Sequence, residues 1–284
     1  IHAPEKEAVR SVAFQGAIGA YSWLAVRSHF GGDVKPVGCR TFAEAIEKLK
    51  SGVVDRAMLP IQNSLAGSIH EVYSLRARSE LSVVGEQFVR IDHCLVGLHK
   101  ADPDQISDVF SHPVALRQCK LFMSENEGVR FHSFVDTAEA VLKVRADGLP
   151  TQAAIASREA ANIHGLTVLR TGLSDRHDNA TRFWSIARAA EAVEKEIPAR
   201  ASLYLVVDHR EGALVEALRV LSSRGINMTK LESHPRRGVP WEVAFYVDLD
   251  ANIAEARMVS AMEELKMHAV DVRLLGCYPR SEAV

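Results

Sequence analysis

The chain has 284 residues, 47% hydrophobic and 25% charged, an ordinary globular usage that excludes a disordered or fibrous protein. At about 150 residues per domain this length suggests two compact units. The 34 Lys and Arg against 36 Asp and Glu give a net charge of -2, too even to hold nucleic acid or an anionic membrane by a general field.

From Ser11 to about Pro150, β-rich runs alternate with helical periods, as in α/β units with mostly parallel strands. The expected strands are Ser11 to Phe14, Val34 to Val37, Arg56 to Pro60, Ser82 to Phe88, Ile91 to Leu98, Val109 to Ser111 and Arg130 to Phe134. Thr41-Phe42-Ala43-Glu44 reads as a capping box ahead of Ala45, Ile46 and Leu49, and Asp136-Thr137-Ala138-Glu139 opens a second helix. The charged stretch Arg188 to Arg200, carrying Pro198, follows a strand-like Arg182 to Ala187 and marks the expected domain boundary, with 191–200 as linker. Beyond it come a strand (Leu203 to Val207), a helix from Gly212 to near Gly225 and a strand (Ile226 to Ser233). A turn (Arg236 to Pro240), a strand (Trp241 to Leu249), a helix (Ile253 to Met267) and a strand (Val270 to Tyr278) complete a ferredoxin-like βαββαβ order.

Missing motifs narrow the chemistry. No apolar run reaches the roughly 18 residues of a membrane span, and the start, Ile1 to Arg10, is charged rather than basic-then-apolar, so a cytoplasmic protein is expected. Cys39, Cys94, Cys119 and Cys277 form no CxxC pair and are expected as buried free thiols. Gly16-Ala17-Ile18-Gly19 lacks the GxGxxG spacing, no GxxxxGK[ST] or GxSxG occurs, His70-Glu71 has no second His four residues on, and the 12 histidines show no ligand spacing. Neither a cofactor nor a metal is therefore expected.

Four polar turns remain: Gly16 to Ser22, Pro60 to Ser64, Ser111 to Gln118 and Asn179 to Phe183. Strand-to-helix turns aim backbone N–H groups into the crevice beyond the strand ends, where an anion can sit, although capping chemistry explains each turn singly. Together they resemble the prephenate dehydratase family, through VAFQGAIGAYS (Val12 to Ser22), DRAMLPIQNSLAGSI (Asp55 to Ile69), SHPVALRQC (Ser111 to Cys119), AAIASREAA (Ala153 to Ala161) and DNATRFW (Asp178 to Trp184). The C-terminal region, with Gly212-Ala213-Leu214-Val215 and Glu232-Ser233-His234-Pro235, resembles the regulatory ACT domain of such enzymes. Two departures stand out: Gln62 where the family usually has Glu, and His234 where it usually has Arg.

The resemblance implies a catalytic region over 1–190, of two periplasmic-binding-protein-like α/β lobes around a cleft, the second lobe at about 91–169, and an ACT domain over 201–284. It implies conversion of prephenate to phenylpyruvate, with loss of water and carbon dioxide and without a cofactor. In the Thr181-Arg182-Phe183 motif, Thr181 becomes the proton donor to the departing hydroxyl, Arg182 a carboxylate partner and Phe183 a pocket wall. Asn63 and Ser64, expected at a helix start, would hold a carboxylate or the keto acid, with Ser22, Ser111 and Gln118 as further contacts. Phenylalanine is the implied effector, bound where two ACT domains pair and touching Gly212, Ala213, Leu214, Asn227, Glu232 and Ser233, which calls for a homodimer or homotetramer. The competing readings are an arogenate dehydratase and a non-catalytic amino-acid sensor.

Overall fold

The structure, a computed structural model, describes residues 8–236, 239 and 242–282. The charged start as far as Glu7, the turn residues Arg237, Gly238 and Pro240, and Trp241 lie outside the described residues. The chain divides into two compact units, residues 8–69 with 87–183 and residues 70–86 with 184–282. The division thus falls at 183/184 instead of the expected 191–200, and the second unit gains an early segment that composition did not mark.

The chain opens with β1 (Ser11–Gln15), α1 (Tyr21–Phe30), β2 (Lys35–Cys39), α2 (Phe42–Lys50), β3 (Arg56–Asn63), β4 (Gly67–Ser68), α3 (His70–Ala77) and β5 (Ser82–Arg90). It continues through β6 (Cys94–Gly97), β7 (Asp108–Ser111), α4 (Pro113–Arg117), α5 (Lys120–Glu125), β8 (Arg130–Ser133), α6 (Thr137–Asp147), β9 (Gln152–Ala156), α7 (Arg158–His164), β10 (Thr167–Arg170) and β11 (Ala180–Ala187). It ends with β12 (Ala199–Val206), α8 (Ala213–Ser222), β13 (Asn227–Pro235), β14 (Val243–Asp250), α9 (Ala256–His268) and β15 (Asp271–Pro279).

The first lobe is built on a sheet of order β2-β1-β3-β11-β5, in which β1 runs parallel to both β2 and β3. Val12, Ala13 and Phe14 are all fully buried, the uninterrupted apolar run of a parallel strand covered on both faces. The capping box forms as read: Thr41 Oγ1 accepts from Glu44 N at 3.1 Å, and Glu44 reaches back to Arg40 N at 2.7 Å. The second lobe has the order β10-β6-β9-β7-β8 and buries Val96, Val141, Val144 and Ala154 in its core.

The loop after β1 ties the two lobes together. Gly16 holds φ 108°, and a Cβ there would lie 2.7 Å from Asp136 Oδ2, so only glycine lets this loop approach the cap of α6. Further along, Ser157 Oγ donates to Gly19 O at 2.9 Å and His164 Nε2 to Ile18 O at 2.8 Å.

The second unit contains the βαββαβ module, an antiparallel sheet of order β13-β14-β12-β15. Leu203, Leu205, Val247 and Leu249 form one core with Val220 and Leu221 of α8 and Met258, Ala261 and Leu265 of α9. Trp184 and Tyr73, both almost fully buried, meet edge to face at 5.0 Å, and Trp184 Nε1 donates to Tyr278 Oη at 3.2 Å. Glu86 has no exposed side-chain area, and both its oxygens accept from Arg200 Nη1, at 2.9 and 2.7 Å, so the buried carboxylate is paired with a cation. These contacts explain why 70–86 and 184–190 belong to this unit. The four cysteines are buried and free. Among the described residues no helix is long and apolar enough to cross a membrane.

Candidate active site

Asn63 ends β3 and does not start a helix. Its Oδ1 accepts from Leu65 N at 3.0 Å and Ala66 N at 2.8 Å, an Asx turn that reverses the chain into β4, and α3 begins only at His70. Asparagine's habit of bonding the backbone two residues on outweighs the capping reading at this point.

Those two backbone donors fix the orientation of everything connected to Asn63. With Oδ1 occupied by N–H groups, Nδ2 faces the acceptors Asn179 Oδ1 (2.8 Å), Ala180 O (3.2 Å) and Thr181 Oγ1 (3.0 Å). Gln118 must then present Nε2 to Asn63 Oδ1, at 3.2 Å, which turns its Oε1 to His93 Nε2 at 3.0 Å and places the imidazole proton on that nitrogen. The donors run from His93 through Gln118 and Asn63 to Thr181. Because Thr181 Oγ1 accepts from Asn63, its own proton is free to be given to something else.

A cavity of about 430 Å³ lies beside this chain of donors, lined by Thr181, Asn63, Gln118, Ser22 and Phe183 among the expected residues. Ser64, Ser111 and Arg182 do not line it. Ser64 is exposed and brackets the start of β11, donating to Asp178 O at 3.2 Å and accepting from Ala180 N at 3.0 Å. Ser111 is fully buried and donates to Ile155 O at 2.6 Å, joining β7 to β9. Arg182 falls between Thr181 and Phe183 on a strand, where successive side chains face opposite ways, and its guanidinium lies 5.9 Å from the Phe88 ring centroid.

The cavity also holds residues the sequence reading passed over: Tyr21, His93, His112, Arg117 and Asp136. Tyr21, His112 and Arg117 lie inside quoted motif runs, so those runs carried the signal; His93 lies in none. Burial holds the His93 imidazole below its ordinary range, hence neutral near pH 7, and burial with nearby Arg117 does the same for His112. Burial keeps the Tyr21 phenol well above its ordinary range and raises the Asp136 carboxyl, which still caps α6 by accepting from Ala138 N at 2.8 Å. Exposed Arg117 is the permanent cation at the wall. The interior is thus rich in donors, suited to an anion and to sharing one hydroxyl proton.

Residues 12–191, the stretch that supplies every wall of this cavity, match the family model of prephenate dehydratase. The chain belongs to the prephenate dehydratase family. It is a hydro-lyase by that membership, and its similarity extends past the matched stretch. The bifunctional chorismate mutase/prephenate dehydratase of Enterobacter agglomerans is 38% identical over 285 residues, covering 99% of this chain and 73% of that protein. Arogenate dehydratase/prephenate dehydratase 1, chloroplastic, of Arabidopsis thaliana is 36% identical, over 94% of this chain and 71% of its own length. Among solved structures, the prephenate dehydratase of Arthrobacter aurescens in complex with L-Phe superposes with TM-score 0.88 at 27% identity, covering 96% of this chain and 92% of that one. GqqA, described as a novel type of quorum quenching acylase, also gives 0.88, at 34% identity over 96% and 98% of the two chains.

Among the described residues, the expected effector residues of this prephenate dehydratase family member fall on separate cavities. Gly212, at φ 78°, caps α8, while Ala213 and Leu214 line a small cavity of about 160 Å³ with Val207 and Phe245. Asn227, at the start of β13, borders a separate groove. Glu232 and exposed Ser233 lie further along β13, with Glu232 Oε2 3.0 Å from Lys230 Nζ.

Proposed function

We propose that the enzyme converts prephenate to phenylpyruvate in the cytoplasm, for phenylalanine synthesis, without a cofactor. The observation that supports this reading is the free proton of Thr181, made available by Asn63 at the wall of a donor-rich cavity. Prephenate is a dianion. Its ring carboxylate leaves as carbon dioxide, the freed electron pair completes the aromatic ring, and the ring hydroxyl departs with one proton as water. The substrate itself accepts the electrons, so the protein needs only to hold two carboxylates and share a proton with the leaving oxygen. An alcohol is a poor acid, and its contribution here is a hydrogen bond that strengthens as negative charge grows on that oxygen.

Arogenate, which carries an ammonium where prephenate has its keto group, suits the cavity less well. Its carboxylates can meet Arg117 as those of prephenate do, but Arg117 offers the ammonium no partner, and burial raises the Asp136 carboxyl above its ordinary range. An acylase reading lacks a base: among its recorded partners Thr181 Oγ1 meets an amide donor, not a group able to take its proton. The deciding assay supplies purified enzyme with prephenate and arogenate in turn. Turnover of prephenate unaffected by chelator, with kcat/KM for arogenate about tenfold lower or less, is the expected result. No turnover of prephenate would end the reading.

Arg117 is the cation to test. Arg117→Met is expected to raise KM for prephenate about tenfold with kcat little changed, the pattern of a lost ground-state contact. An unchanged KM would return the carboxylate role to another group.

Phenylalanine inhibition through the C-terminal module belongs to the same proposal. The separation of Ala213 and Leu214 from Glu232 and Ser233 within one chain supports an effector site completed by a second copy, hence a homodimer or homotetramer. Sedimentation across a dilution series, with and without phenylalanine, checks it: a monomer that is still inhibited would exclude a shared site.

A further inference from the structure

Helix α1 meets the cavity with its first turn uncapped. Ala20 stands at the N-cap, where Ser, Thr, Asp or Asn is favoured, and supplies no side-chain acceptor, and the first turn carries no acidic residue. Among the described residues no acceptor meets the N–H groups of Tyr21, Ser22 or Trp23. Ser22, only 8% exposed, lines the cavity, and among the described residues its hydroxyl has no partner either. We propose that this end of α1, together with the Ser22 hydroxyl, holds the ring carboxylate of prephenate, the one lost as carbon dioxide; the assignment rests on prephenate being the substrate.

Donors grouped in this way collect an anion. The aligned peptides of this ten-residue helix place partial positive charge at its start, and the serine hydroxyl adds a hydrogen bond to those of the backbone. Helices α2, α6 and α7 spend the same groups internally, on Thr41, Asp136 and Ser157. The start of α1 is also held still. The second lobe bonds Ile18 O and Gly19 O, and a Cβ at Gly19, where φ is 95°, would lie 2.9 Å from Ala160 Cα. Asp136 is the one acidic side chain among the described residues lining the cavity. Its charge is already shared among N–H groups, with Ala138 N at 2.8 Å, Glu139 N at 3.1 Å and Ala17 N as a further donor.

The two carboxylates of prephenate have opposite fates, and this decides which of them belongs at α1. The side-chain carboxylate keeps its charge throughout. The ring carboxylate loses its charge as its bond to the ring breaks and the electron pair passes through the ring to the departing hydroxyl, which takes up the shared proton. A full cation against the departing group would stabilise a charge that must vanish, and so would deepen the ground state without lowering the barrier relative to it. Arg117, the permanent cation at the wall, therefore suits the carboxylate that persists. Uncharged hydroxyl and N–H donors bind the other one firmly enough to orient the ring and weakly enough to let it go.

Phenylpyruvate separates the two positions, because it keeps the side-chain carboxylate and lacks the ring one. Both ligands are titrated by calorimetry into the whole chain carrying Thr181→Val, which consumes prephenate slowly. Adding Ser22→Ala is expected to weaken prephenate by about three- to tenfold and to leave phenylpyruvate within about a factor of two, whereas Arg117→Met weakens both. Ser22→Asp gives the first turn an acceptor from within the chain. Its Tm should hold or rise while prephenate binding falls about tenfold or more, a combination that a damaged fold does not produce. Equal weakening of the two ligands by Ser22→Ala, or unchanged prephenate binding in both Ser22 variants, would overturn the subsite even in a chain that turns prephenate over. The expected pattern in a natural chain without turnover would uphold the subsite and refute the reaction, and a natural chain that binds no prephenate would remove both.

Discussion

Thr181→Val is expected to lower kcat for prephenate by about 10²- to 10³-fold, the scale for losing one positioned proton donor. Valine keeps the branched shape and removes only the hydroxyl. The fold should survive, because Asn63 Nδ2 retains Asn179 Oδ1 at 2.8 Å and Ala180 O at 3.2 Å, so no buried donor is orphaned. Tm should therefore fall by no more than a few degrees. Thr181→Ser restores the hydroxyl on a freer rotor and should recover activity to within about tenfold of the natural enzyme. Thermal melts beside steady-state kinetics on all three proteins check this, and full activity in the valine variant would remove Thr181 from the chemistry.

Much of the fold could be read from local pattern, and the failures have local causes. Thr41 and Asp136 cap helices as their residue types demand, and Val12 to Phe14 forms the buried strand its composition announces. Asn63 misled because a side chain suited to a helix cap is equally suited to an Asx turn, and only the hairpin into β4 decides between them. Arg182 misled because its guanidinium fits a carboxylate while strand alternation turns it away from Thr181. His93 could not have been found at all: its role comes from Gln118, whose own orientation is set at one remove by two backbone donors. The division at 183/184 was hidden for a similar reason. Tyr73 and Trp184 pack together across more than 100 residues, and no property of either segment alone announces it.

The severest single-atom test of the donor chain is Asn63→Asp, which keeps shape and volume and exchanges one NH2 for an oxygen. Oδ1 can still accept from Leu65 N and Ala66 N, so the turn into β4 is preserved. On the other side the new carboxylate oxygen would face Asn179 Oδ1, Ala180 O and Thr181 Oγ1, three acceptors at 2.8 to 3.2 Å. Thr181 can respond by rotating onto the carboxylate the proton the leaving hydroxyl requires, and Asn179 by turning its amide to present Nδ2, a buried donor otherwise without a partner. Ala180 O keeps its bond from Ser64 N at 2.8 Å, and the cost is that of a buried charge facing that carbonyl, about 1–3 kcal/mol. The expected result is a kcat reduced by about 10³-fold or more, a larger loss than in Thr181→Val, together with a clearly lowered Tm. Lowering the pH should restore part of both, since protonating the new carboxyl returns a donor to this position; burial raises a carboxyl placed there, so the recovery begins above the ordinary carboxylate range. Kinetics and melts of the variant from about pH 5 to 8 distinguish the outcomes. Activity close to that of the natural enzyme across the range would show that Thr181 does not depend on the orientation Asn63 imposes.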